Sequence, residues 1–79
     1  MMNEYYREKY RLLGLKIAMY RKMRGLTQEQ FAEKLGKSWS FISQIEANNG
    51  TTDKGVSLST LFLIAEVLDV SVSKLLEDI

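Results

Sequence analysis

Trp39, Ser40, Ser43 and Gln44 are the residues whose types and spacing could do chemistry together in this 79-residue chain. At steps of one, three and one they share the side of a helix opposite Ile42 and Ile45. What they offer is recognition: an indole N–H, two hydroxyls that donate or accept, and a carboxamide that sets a donor beside an acceptor. Catalysis is not on offer. The chain has no His and no Cys, and serine without a neighbouring base is not a nucleophile. It has no Gly-rich phosphate loop and no cluster of carboxylates on one face, so an enzyme is not expected. A metal site would have to be built from carboxylates alone, so neither a metal nor another cofactor is expected.

Presenting that polar face takes two short helices and a tight turn. Thr27-Gln28-Glu29-Gln30 is a capping-box pattern that opens a helix whose inward face is Phe31, Ala32 and Leu35, and Gly36 stops it. The chain restarts at once, with Ser38 as N-cap and Phe41, Ile42 and Ile45 facing inward. A glycine turn of about three residues makes two such helices cross steeply, the geometry of a helix-turn-helix unit. An earlier helix carries Leu13, Ile17 and Tyr20 at spacings of four and three and ends near Gly25. Polar, turn-rich residues from Ala47 to Val56 read as a loop. Leu58, Leu61, Ile64, Ala65 and Leu68 then mark a fourth helix, and Ser71 caps a fifth, with Val70 placed to staple onto Leu75. The expected fold is all-α, with five helices.

Composition agrees with a compact helical unit. Proline is absent and there are five glycines, which disfavours a disordered linker or a turn-rich sandwich. The length predicts a single domain over residues 1–79. No run approaches the roughly 18 apolar residues that a membrane span needs, and the first residues lack the apolar core of a secretion signal. A cytoplasmic protein is expected. The net charge is only +1, yet its distribution is lopsided: residues 1–37 hold nine Lys and Arg against four Glu, and residues 38–79 hold two Lys against six Asp and Glu. Such asymmetry suits a chain with one side facing a polyanion.

The segment LTQEQFAEKLGKSWSFISQIEANN, followed by LSTLFLIAEVLDVSVSKLL, resembles the Cro and phage-repressor, or Xre-like, helix-turn-helix family. The resemblance covers about residues 12–77, with residues 1–10 as an extension. It rests on Thr27-Gln28, Ala32, Gly36, Ile42, Ile45 and Glu46 falling in register. It implies a five-helix, lambda-repressor-like DNA-binding domain and a transcriptional regulator, most simply a repressor, that binds double-stranded DNA and sits at the nucleoid when bound. Its third helix would enter the major groove. By position, Trp39, Ser40, Ser43 and Gln44 would meet the bases, with Gln44 suited to adenine N6 and N7 and Trp39 to a thymine methyl or a sugar. Gln28 would hold a phosphate at the start of the second helix and brace the third. Lys37, Arg24 and Lys54 are further phosphate candidates. Arg21 and Glu46 match a structural ion pair.

Three features depart from the family pattern. Lys37 stands at a usually apolar position, where it opens the turn or snorkels towards DNA. The Asn48–Val56 loop is long and lacks a proline, and residues 1–10 with Tyr5, Tyr6 and Tyr10 either lengthen the first helix or pack on a partner. Phe62, Leu63, Val67, Leu76 and Ile79 exceed what the core needs and read as a homodimer surface. A two-fold dimer would set its recognition helices about 34 Å apart on a palindromic operator. The rival reading is a protein-interaction module, such as an antitoxin or a regulator-binding protein, on the same fold.

Overall fold

The computed structural model describes residues 4–47 and 56–78. Within them run five helices, α1 (Glu4–Met23), α2 (Gln28–Leu35), α3 (Trp39–Glu46), α4 (Leu58–Leu68) and α5 (Val72–Leu76). No strand occurs among the described residues. The all-α, five-helix architecture expected from the sequence is the one observed.

Local chemistry sets each boundary. The N-terminal extension continues α1 back to Glu4, giving a helix of 20 residues. It ends in a Schellman turn: Gly25 sits at φ 73°, its N–H donates to Lys22 O at 3.0 Å, and the Leu26 N–H donates to Arg21 O at 3.2 Å. Only a residue without Cβ takes that left-handed conformation at no cost. At the start of α2 the capping box is complete, the Gln30 N–H donating to Thr27 Oγ1 at 3.0 Å and the Thr27 N–H to Gln30 Oε1 at 2.9 Å. Gly36, at φ 68°, closes α2 with a second turn of the same kind, in which the Lys37 N–H donates to Ala32 O at 3.0 Å. Ser38 then caps α3 by accepting from the Phe41 N–H at 3.1 Å. The turn stays closed although Lys37 occupies it. Its ammonium lies 5.4 Å from the centre of the Phe41 ring, so the cation is stabilised by the π face rather than displaced.

Every helix contributes to one apolar cluster. Ile17, Phe31, Ile42, Ile64 and Leu75, one from each helix in order, are at most 1% exposed. Each such burial stabilises the fold by about 1.5–3 kcal/mol before chain entropy is counted. Ile42 anchors the inward face of α3, and that fixes which face of α3 points out.

Two expectations about the apolar surplus need correction. Leu63 and Val67 are half-buried and pack against the core. Helix α4 lies against α1, α2 and α5, so it needs a broad apolar face rather than a narrow stripe. Phe62 and Leu76 are exposed as expected, and Leu58, at 68% exposed, joins them unanticipated. Ile79 lies outside the described residues, as do Lys54 and the loop around it.

Candidate nucleic-acid interface

The outer face of α3 carries the four residues that the sequence singled out. Trp39, Ser40 and Gln44 are exposed and Ser43 is half-buried, while Ile42 beneath them is buried. The Gln44 carboxamide reaches back one turn, its Nε2 3.5 Å from Ser40 Oγ, at the long limit of a hydrogen bond. Gln44 is therefore lightly held and its donor and acceptor remain available. This is a ridge of polar groups on a rigid helix, with the Ser40 hydroxyl and the Gln44 carboxamide only weakly engaged with each other.

The ridge is braced at both ends by one polar network. Glu46, the last residue of α3, receives two hydrogen bonds from Arg21 of α1, from Nε to Oε2 at 2.6 Å and from NH2 to Oε1 at 2.9 Å. The two side chains are 9% and 5% exposed, so the expected Arg21–Glu46 pair is present and nearly dry. The third guanidinium nitrogen of Arg21, Nη1, donates to Leu26 O at 2.8 Å. Gln28, the first residue of α2, donates from Nε2 to Glu46 Oε1 at 3.0 Å, and its Oε1 accepts from the indole Nε1 of Trp39 at 3.0 Å. Only one orientation of the carboxamide satisfies both neighbours, since a carboxylate must be given a donor and an indole an acceptor. Trp39 at the start of α3 and Glu46 at its end are thus tied to the same glutamine.

Sequence reasoning foresaw the brace but not its reach. Gln28 and Trp39 were assigned separate contacts, and the structure joins them. Gly14 was missed altogether. It is buried on α1 where a Cβ would collide with the backbone carbonyl of Ile45, so its lack of a side chain lets α3 approach. Its signal was an isolated glycine inside a helical pattern, which commonly marks close packing.

Arg24 is exposed and has partners within the protein that the sequence did not disclose. Its Nε donates to Leu68 O at 2.7 Å and its NH2 to Asp69 O at 3.2 Å. The last carbonyls of a helix lack intrahelical partners, and the Schellman turn at Gly25 aims Arg24 at those of α4. Its cation is engaged within the protein. Lys37 remains exposed beside the start of α3. Among the described residues no group of acidic, His or Cys side chains is arranged to hold a metal ion, and no helix is long and apolar enough to cross a membrane.

Comparison with known proteins places this arrangement in a family. The family model described as HTH_3, helix-turn-helix, matches residues 17–75. The transcriptional regulator SinR of Bacillus subtilis is 39% identical over 67 residues, which are 85% of this chain and 58% of SinR, so the chain spans somewhat over half of that relative's length. The control protein C.SmaI of Serratia marcescens is 37% identical over 65 residues, 82% of this chain and 73% of C.SmaI. Among solved structures, SinR in complex with DNA superimposes with a TM-score of 0.70 at 40% identity, covering 82% of this chain and 98% of that one. The restriction-modification controller protein C.AhdI of Aeromonas hydrophila gives 0.73 at 26% identity, covering 84% and 94%. The register of Thr27, Ala32, Gly36, Ile42 and Glu46 and the matching fold have one reading: the chain belongs to the HTH_3, Xre-like family of helix-turn-helix proteins.

Proposed function

We propose that this protein is a transcriptional regulator that binds double-stranded DNA sequence-specifically, acting as a repressor and as a two-fold dimer on a palindromic operator. The observation that carries the reading is the outward polar ridge of α3, held rigid by the Arg21–Glu46–Gln28–Trp39 network. A helix presented this way suits the major groove, where its N-terminal residues meet base edges. Trp39, Ser40, Ser43 and Gln44 are the proposed base contacts, Gln44 being suited to a bidentate pair with adenine. The free N–H groups at the start of α2, together with Lys37, are the proposed phosphate contacts. Gln28 joins them through its backbone, because both ends of its carboxamide are engaged in the brace. Lys54 belongs to the same proposal on sequence grounds. That a 40% identical relative was crystallised with DNA supports the reading. A regulator of this kind works in the cytoplasm, at the nucleoid when bound.

Selection of bound sequences from random duplexes tests it. A palindromic motif is expected, with affinity that falls steeply as salt rises. Gln44→Ala should abolish preference at one base pair per half-site while leaving the fold intact. No duplex binding at low salt would end the reading.

A second reading is favoured by one observation. Leu58, Phe62 and Leu76 are large apolar side chains 44–68% exposed, and one similar structure, 39% identical with a TM-score of 0.71, is a complex of SinR with the protein SinI. A protein partner on the α4–α5 side is compatible with DNA binding through α3, and sedimentation with and without operator separates the two.

A further inference from the structure

Trp39 is half-exposed, at 53%, yet its single polar atom is already engaged, the indole N–H donating to Gln28 Oε1. What remains for an incoming molecule is carbon. An indole has no acceptor and no second donor, so Trp39 in this pose cannot select a base by hydrogen bonding. It can select only by apolar contact. In the major groove of unmodified DNA the apolar feature is the C5-methyl group of thymine.

The pose is also fixed in advance. Gln28 holds the ring, Glu46 holds Gln28, and Arg21 holds Glu46 from a position where it is itself 7% exposed. A free tryptophan side chain would lose rotamer entropy on docking, whereas one tied down in the unbound protein has already lost it. The ring is not part of the hydrophobic core, so the hydrogen bond that helps to brace α3 leaves its carbon face outside. Its position as the first residue of α3, next to the Ser38 cap, puts it at the end of the helix that leads into the groove.

We propose that Trp39 is a specificity-determining residue that reads the methyl group of one thymine per half-site, with Gln28 as its positioning residue. The inference rests on the DNA-binding function proposed above and narrows the two contacts expected of Trp39, a thymine methyl or a sugar, to the one that carries sequence information. Ser40, Ser43 and Gln44 read by hydrogen bonds; Trp39 reads by shape and apolar contact.

The test replaces each thymine of the selected operator, one at a time, by deoxyuridine, which deletes the methyl group and keeps every hydrogen bond. With the wild-type protein, affinity should fall about fourfold at one position per half-site, the value of one buried methyl-sized group. With Trp39→Ala that position should become insensitive to the exchange while the preference set by Gln44 persists. Gln28→Met, which removes the acceptor at similar volume, should reduce the thymine-to-uracil ratio, with folding checked by thermal melting. A wild-type protein that binds the operator but shows no sensitive position overturns the inference without using any variant. So does a sensitive position that survives Trp39→Ala. A wild-type protein that binds no duplex overturns the DNA-binding function itself, and this is a distinct result.

Discussion

Gly14 of α1 faces the backbone carbonyl of Ile45 of α3 so closely that an added Cβ would overlap that oxygen and come within 3.4 Å of Glu46 O. An alanine in the middle of a helix ordinarily gains about 1 kcal/mol over glycine. Here the obstacle is backbone, which cannot swing aside as a side chain would. Gly14→Ala should therefore destabilise the protein by about 1–3 kcal/mol, the usual cost of overpacking, measured by urea or thermal unfolding. Because the collision falls at the end of α3 next to Glu46, operator affinity should fall further than the loss of stability alone explains. A stabilised Gly14→Ala protein would show that α1 and α3 are not packed as described.

The Arg21–Glu46 pair sets up a contrast between single and double substitutions. Removing Glu46 leaves a buried guanidinium without its carboxylate, which costs about 3–5 kcal/mol. A chain of this length has about 4–12 kcal/mol of total stability at the usual value per residue. Glu46→Ala should thus lose a quarter or more of that stability, read as a lower melting temperature and a lower urea midpoint by circular dichroism. The double variant Arg21→Met, Glu46→Leu removes both charges and should be more stable than Glu46→Ala. It should still lose operator affinity, because Gln28 no longer has a fixed acceptor and Trp39 is released with it.

What the sequence disclosed and what it hid divide along a physical line. The α2–α3 junction was legible because its determinants are local: a capping box, a glycine at positive φ and a serine N-cap act within four residues of one another. The outward face of α3 followed from the period of Ile42 and Ile45. The Gln28–Trp39 bond was not legible, since it joins side chains eleven residues apart on two helices and depends on their crossing angle. The partners of Arg24 within the protein were not legible either, since they are set by the turn at Gly25 and by the carbonyls ending α4. Leu63 and Val67 were assigned to a partner because a single stripe was counted for a helix that packs on three others.

Lys37 gives a test of phosphate contact that leaves the fold alone. It occupies the position after Gly36 where a helix-ending turn of this type often gains an apolar contact, and its ammonium rests near the Phe41 ring. Lys37→Leu should leave the melting temperature unchanged or slightly raised. If Lys37 meets a phosphate, the same substitution should weaken binding to all duplexes about equally and reduce the slope of log affinity against log salt by about one. An unchanged slope would remove Lys37 from the interface.

Phe62 and Leu63 are neighbours in sequence with opposite predicted consequences. Phe62 is 57% exposed and stands one turn from Leu58, also exposed, so the two share one outward face of α4. Exposed apolar area of this kind gains stability only when something covers it. In the proposed dimer that cover is the second copy. Phe62→Glu should leave the monomer folded, since the side chain is outside the core, and convert a dimer to a monomer in sedimentation at micromolar concentration. Binding to the full palindrome should then drop to that of a single half-site, with the base preference of each half-site preserved. Leu63, half-buried against the core, should behave otherwise: Leu63→Ala costs up to about 2 kcal/mol, the low end of the range for a buried leucine, and leaves association intact once the lost stability is allowed for. A Phe62→Glu protein that sediments as the wild type does would show that the exposed face of α4 is not where two copies meet.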